Sequence, residues 1–252
     1  MQIGLIGCGN MARALARGWG RPLLCADPIA ERAQSLAAEV GGEALDTNAD
    51  VARRAELVVL CHKPSQLEDV AREIAPHAQA IASILAATPL AALEAAYPGR
   101  AVYRFMPSLP VELRQGAVVQ AAGPEGNEVL DAAVRELFGE LGTLVVLEDR
   151  LLDAAMGLMS CGPAYVALVA EAQVEAGVRY GIPAPQGAEL VVQTLAGTAE
   201  LLRRRGYDTL AVRREVASPG GLTARGLAAL ERGGLRAAFG DAMDAVLEDG
   251  AR

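Results

Sequence analysis

Two stretches, one near each end of the chain, combine residue types and spacings suited to binding anions. The later one is Val216-Ala217-Ser218-Pro219-Gly220-Gly221-Leu222-Thr223. Apolar residues at 222, 227 and 230, with alanines between them, predict a helix that begins just after the glycines. Pro219 and the two glycines let the backbone turn sharply and approach a ligand without side chains in the way. The first amides of a helix lack internal partners and stand at its positive end, so they suit a small anion such as a carboxylate. Thr223 adds one hydroxyl beside those amides. The same residues also suit a plain glycine-rich turn that caps a helix, and the start of the chain helps to decide between the two.

Residues 2–6 read as a short buried strand, and Gly7-Cys8-Gly9-Asn10-Met11-Ala12 follows at once. Met11, Leu15 and Trp19 then recur at helical spacing. Strand, glycine turn and helix in this order make a dinucleotide site, with Ala12 in the third glycine's place. Gly7 permits the tight turn, and Gly9 lets a pyrophosphate reach the helix N-terminus, so Ile6 to Ala12 form the candidate cradle. A second strand over 22–26 ends at Asp27, about where an acidic residue takes the adenosine ribose hydroxyls. A carboxylate there repels a 2′-phosphate, which favours NADH over NADPH. Asp27 with Pro28 also suits the cap of a helix over 29–39, and Arg32 is a candidate phosphate partner.

The inventory of acids and bases is sparse. Of 23 Lys and Arg residues only Lys63 is a lysine, and the chain has 2 histidines, His62 and His77. Lys63 is thus the one position where a compact ammonium replaces Arg's planar fork. Cys61-His62-Lys63-Pro64 stands at the carboxyl end of an apolar strand over 57–61, where open α/β sheets place their ligands. An exposed, solvated lysine is the other reading of Lys63. The cysteines at 8, 25, 61 and 161 have no metal-ligand spacing, and no metal is expected.

The elements that must position these groups follow from the patterning. Further strands are predicted at 80–85, 101–105, 117–121 and 143–147, with helices at 66–74, 89–96 and 126–139 between them. After Glu148 strands cease, and alanine- and leucine-rich helices run from 151 to 247. The helix over 163–179 is apolar on most faces and requires burial. A domain of that size cannot supply it, so a partner chain is expected. The fold class is therefore α/β: an N-terminal Rossmann-type, doubly wound sheet over 1–149, then an all-α dimerisation and substrate-binding domain over 150–252.

Composition narrows the partners. About half of the 252 residues are hydrophobic (52%) and 4% aromatic, so the core is Ala, Leu and Val. A formal charge of −8 argues against nucleic acid or an anionic membrane as a general partner. No apolar run reaches the roughly 18–20 residues that span a bilayer. Met1 leads straight into a strand without a signal-peptide pattern, and reduced thiols fit a cytoplasmic location.

With both ends read, the chain resembles the pyrroline-5-carboxylate reductases, the enzymes that make proline, over essentially its full length. The resembling segments are 6–12, Lys63-Pro64, Arg104-Phe105-Met106-Pro107, Gly162-Pro163-Ala164-Tyr165 and Ser218-Pro219-Gly220-Gly221-Leu222-Thr223. The resemblance implies a Rossmann domain followed by a helical domain that interleaves with a second subunit as a homodimer, which in some members assembles into decamers. It implies that residues 7–12 hold the pyrophosphate, that Asn48 contacts the adenosine, and that Cys61, His62, Lys63 and Pro64 line the ribose and nicotinamide. It places the small-molecule substrate at Val216, Ser218, Gly221, Leu222 and Thr223. The amides of 222 and 223 hold its carboxylate, and the Thr223 hydroxyl, the one catalytic side chain, lies near the ring nitrogen. Three departures stand out: Met159-Ser160-Cys161 replaces the usual Ser-Gly-Ser, Ser108 replaces Asn, and Leu85-Ala86-Ala87 replaces Ala-Ala-Gly.

The chemistry implied is hydride transfer from NAD(P)H to the cyclic imine 1-pyrroline-5-carboxylate, giving L-proline in the last step of proline biosynthesis. A protonated imine brings its own proton, so a chain poor in His and Lys suffices. A β-hydroxyacid dehydrogenase needs a lysine in the helical domain, and none follows Lys63. A short-chain dehydrogenase needs Tyr-x-x-x-Lys, and Val169 stands four places after Tyr165. Reductases of other small imines or hydroxy acids, and a nucleotide-sensing homologue without turnover, are the remaining alternatives.

Overall fold

Residues 1–123 and 127–250 are described in a computed structural model; residue 126, expected to begin a helix, lies outside them, as do 251 and 252 of the expected second domain. The chain divides into two compact units, Met1–Pro163 and Ala164–Asp249.

The first unit is a sheet of eight strands in the order β3-β2-β1-β4-β5-β6-β7-β8. The strands are β1 (Ile3–Ile6), β2 (Leu24–Ala26), β3 (Glu43–Ala44), β4 (Leu57–Leu60), β5 (Ala80–Ser83), β6 (Ala101–Pro107), β7 (Gly116–Ala122) and β8 (Gly142–Glu148). All neighbours pair in parallel except β6 and β7. The helices are α1 (Asn10–Trp19), α2 (Ala30–Val40), α3 (Asn48–Arg54), α4 (Leu67–Ile74), α5 (Leu90–Ala96) and α6 (Glu128–Gly139). Side chains of α1, α2 and α6 fill one face of the sheet, and those of α3, α4 and α5 fill the other. This is the doubly wound plan, and strand order reverses between β1 and β4, where such sheets bind ligands. Trp19 anchors the first face: its indole N–H donates to the Leu137 carbonyl at 2.9 Å, and its ring meets Phe138 edge-on.

Sequence patterning missed two elements, β3 and α3, so the strand at 57–60 is fourth in the chain rather than third. β3 has two residues and no apolar alternation, while α3 is seven residues long and starts from a Thr47 cap that accepts the Asp50 amide.

After β8 the chain crosses the sheet again. Helix α7 (Leu152–Ala155) buries Leu152 and Ala155 against Leu90, Met106, Val119 and Ala121, and a π turn over Met156–Ser160 leads into α8 (Gly162–Val178). Residues 150–163 thus pack within the first unit, whereas the change in sequence character falls at 149. The second unit consists of most of α8 with α9 (Ala184–Arg204), α10 (Thr209–Val216), α11 (Leu222–Arg232) and α12 (Leu235–Gly250); among its described residues there is no strand.

No residue of α8 is buried within the chain, and Val166, Leu168 and Val178 are exposed. One expectation needs correcting here. Asp149–Val178 is a continuous helical stretch of 30 residues that holds a segment long and apolar enough to cross a membrane by length and composition alone. Isolated polar residues such as Asp153 and Ser160 punctuate the stretch, so it contains no uninterrupted apolar run of that length.

Candidate functional site

Of the sequence-predicted ligand residues of the first unit, 6–12, Asp27 and 61–64 stand at the carboxyl ends of β1, β2 and β4. Gly7 has φ +92°, and a Cβ there would stand 2.8 Å from the Cys61 carbonyl carbon and 2.9 Å from the His62 nitrogen. Only glycine lets the turn press against the end of β4. Gly9 is different: it caps α1 without a side-chain bond, and a Cβ on it would meet nothing within 4 Å. The backbone there faces open space, and the next three amides, of Asn10, Met11 and Ala12, precede the first helical bond from Arg13 to Gly9. An open approach with unused amides is what a pyrophosphate requires. The residues fit NAD(P)H on this ground.

Asp27 is tied to this turn. Its carboxylate accepts the Cys8 amide at 2.7 Å and the Ile29 amide at 2.9 Å, so it braces the glycine loop and also starts the turn into α2. Asn48 opens α3, and its side-chain amide donates to Glu73 at 2.8 Å.

At the end of β4, Cys61 is half-buried and its thiol is pushed up by burial, so it stays protonated. The Cys8 thiol is likewise raised, first by its hydrogen bond with Cys25 and then by burial. These cysteines are packing residues in the thiol form. His62 Nδ1 lies 2.9 Å from the Lys63 carbonyl, and burial lowers its pKa, so the ring is neutral with Nδ1–H donating. Lys63 and Pro64 are exposed.

Two features of this edge were not anticipated. Arg104 is 2% exposed, and its guanidinium donates to Asp149 at 2.8 Å and Asp153 at 2.9 Å. An arginine inside the apolar run Val102-Tyr103-Arg104-Phe105-Met106 was the available signal, because buried guanidinium requires carboxylate partners. Ala87 has φ +50° in the loop after β5, a left-handed conformation that favours glycine.

Within the second unit, α10 ends at Val216, and Ser218-Pro219-Gly220-Gly221 turns into α11. Gly220 has φ +72°, and the Gly221 amide donates to the Ser218 carbonyl at 3.0 Å. A Cβ on Gly221 would stand 2.5 Å from Ser218 Oγ, so the loop is folded tightly onto itself. Gly221 caps α11 without a side-chain bond, which leaves the Leu222 and Thr223 amides at an uncapped, exposed helix start. The turn therefore has the form of an anion site.

Comparison with known proteins agrees with the fold. Residues 149–252 match the family model for pyrroline-5-carboxylate reductase dimerisation, and residues 2–87 match the model described as NADP oxidoreductase coenzyme F420-dependent. The pyrroline-5-carboxylate reductase of Thermus thermophilus is 37% identical over 260 residues, covering 99% of this chain and 97% of the relative. That of a Synechocystis species is 32% identical, covering 98% and 96%. The solved Streptococcus pyogenes enzyme superposes with a TM-score of 0.89 at 29% identity, covering 99% of this chain and 98% of that one. The Plasmodium falciparum pyrroline carboxylate reductase, solved with NADP bound, superposes with a TM-score of 0.88 at 25% identity, covering 99% and 97%. With a relative at this identity along its whole length, and a helical half that matches the family's dimerisation model, the chain belongs to the pyrroline-5-carboxylate reductase family.

Proposed function

We propose that this chain reduces 1-pyrroline-5-carboxylate to L-proline with NADH or NADPH. The observation that carries the reading is the open approach at Gly9, with the unused amides of α1 behind it. Residues 7–12 hold the pyrophosphate, Asp27 takes the adenosine ribose and favours NADH, and Asn48 stands by the adenosine. Cys61 to Pro64 line the ribose and nicotinamide. A bound NADH or NADPH supplies the hydride that adds to the imine carbon.

The chain's own groups bind and orient. Ser218, Gly221 and the amides of Leu222 and Thr223 receive the substrate carboxylate, with Val216 beside them, and the Thr223 hydroxyl bonds the ring nitrogen. The protonated imine arrives with the proton that becomes part of the product amine, so no strong protein acid is needed. His62, held neutral by burial, is consistent with that economy. The protein's share of the rate is therefore orientation and electrostatics.

The match to the family's dimerisation model supports a second copy of this chain as the cover of the unburied α8. Loss of nicotinamide absorbance on mixing NADH, pyrroline-5-carboxylate and the protein tests the activity. Tight NADH binding without turnover would leave a nucleotide-sensing protein instead. Sedimentation at low micromolar concentration tests the dimer, and a stable monomer would contradict it.

A further inference from the structure

The end of β6 projects past β5, its neighbour on one side. Ile6 pairs with Leu60, Leu60 with Ser83 and Ser83 with Arg104, so these four residues form one row across the sheet. β1, β4 and β5 stop at that row, whereas β6 continues through Phe105, Met106 and Pro107. At ~3.3 Å per residue the overhang is about 10 Å long. It rises on the same edge as Gly7–Ala12 and Cys61–Pro64. On one side it is paired with β7, Met106 with Val119 and Pro107 with Val118; on the other, β5 has already ended.

The Ser108 amide donates to Ala117 on β7 at 2.9 Å. In a trans peptide the preceding carbonyl points the opposite way. The Pro107 carbonyl therefore faces the side that β5 has vacated. Its partner is the Ser160 hydroxyl, which donates to it at 2.9 Å. Ser160 reaches it from the π turn, closed by the Cys161 amide bonding the Met156 carbonyl at 3.1 Å. Such single π turns concentrate at functional sites. The stretch leading to the turn is fastened to the same strand, because Asp149 and Asp153 grip Arg104 in the row itself. Residues 149–160 thus run as a strap along β6, pinned at Arg104 and again at Pro107.

We propose that Ser160 is a positioning residue: by holding the Pro107 carbonyl it fixes the overhanging end of β6 as the wall against which the nicotinamide half of the dinucleotide is seated. The inference rests on the dinucleotide reading above.

The test is calorimetric titration of the dimer with NADH and, separately, with ADP-ribose, which lacks the nicotinamide. Ser160→Ala should weaken NADH by about three- to tenfold, the range for one lost hydrogen bond, and leave ADP-ribose unchanged. The kcat should fall by a similar factor while the KM for the imine stays put, and Ser160→Thr should restore both. Equal effects on the two ligands, or none on either, would overturn the proposal. So would a Ser160→Ala protein that fails to fold while Ser160→Thr folds, since the hydroxyl would then serve stability alone. If the wild type binds neither ligand, the dinucleotide reading itself falls and takes this one with it.

Discussion

The carboxylate of Asp27 accepts the Cys8 amide through one oxygen and the Ile29 amide through the other, at 2.7 and 2.9 Å. The residue thereby locks the glycine loop to the end of β2. A carboxylate offers about four lone-pair sites, so two remain for the ribose hydroxyls. The structural role and the cofactor role are therefore compatible.

Removing that charge should change the choice of cofactor. Asp27→Ser is expected to raise kcat/KM with NADPH relative to NADH, on the order of tenfold, because the repulsion of a 2′-phosphate disappears. Steady-state kinetics with both cofactors measures it. A wild type that already prefers NADPH would mean that Asp27 only braces the loop.

The two glycines of the turn should behave differently. Gly9→Val places its side chain in open space, so the protein should keep its thermal midpoint while NADH affinity falls by roughly 100-fold or more. Gly7→Ala should unfold at lower temperature, because its Cβ would press on the Cys61–His62 backbone. Retained NADH affinity in a folded Gly9→Val protein would contradict the pyrophosphate assignment.

Why this turn was legible, and other parts were not, is a matter of range. The positive φ of Gly7 and Gly220 and the contact of Gly221 with Ser218 are local to each turn, so sequence carries both turns directly. Arg104 depends on Asp149 and Asp153, 45 and 49 residues away, and no local pattern announces that pairing. The antiparallel β7 was equally hidden: Val118 and Val119 are both buried, so the run reads the same whichever way the strand points. The π turn was hidden for a similar reason, since Met156–Ser160 has the composition of an ordinary helical segment. How the substrate turn meets its cofactor is a question of assembly that neither stretch encodes alone.

The Arg104 cluster should be sensitive to loss of an acidic partner. Asp149→Ala leaves a buried guanidinium short of a charge and frees the Leu90 amide, which donates to the other Asp149 oxygen at 3.0 Å. Breaking a buried pair in this way costs about 3 kcal/mol or more. Arg104→Met removes the charge instead and should cost less than half as much, because Asp149 and Asp153 are part-exposed and can hydrate. Urea unfolding of the two variants gives the comparison; a larger loss for Arg104→Met would reverse the argument.

Acid should expose His62. Burial lowers its pKa below the ordinary 6.5, so below that pH the unfolded chain binds a proton that the folded chain refuses. More protons on the unfolded state means that stability rises with pH and is lost as pH falls from 6.5 toward the lowered folded value. His62→Gln should flatten this part of the profile. Urea midpoints at about pH 7 and about pH 5.5 compare the slopes, and parallel slopes would assign the acid sensitivity to other groups.

Thr223 is the decisive residue of the second unit. It lies in the first turn of α11, exposed, and the helix is capped by Gly221 with no side-chain bond. Removing its hydroxyl should therefore leave the helix and the thermal midpoint unchanged. If the hydroxyl bonds the ring nitrogen while the 222 and 223 amides hold the carboxylate, its loss acts on hydride transfer more than on substrate binding. Thr223→Ala should then lower kcat by about 10–100-fold, for a bond of ~1.5–3 kcal/mol, with a smaller rise in KM. NADH affinity, set by the glycine turn of the first unit, should not move. A bulky residue at 221 should do the reverse. Its Cβ would meet Ser218 Oγ at 2.5 Å and spoil the anion turn, so KM should rise steeply. Full turnover in Thr223→Ala would reduce Thr223 to a bystander and leave the backbone amides alone to orient the substrate.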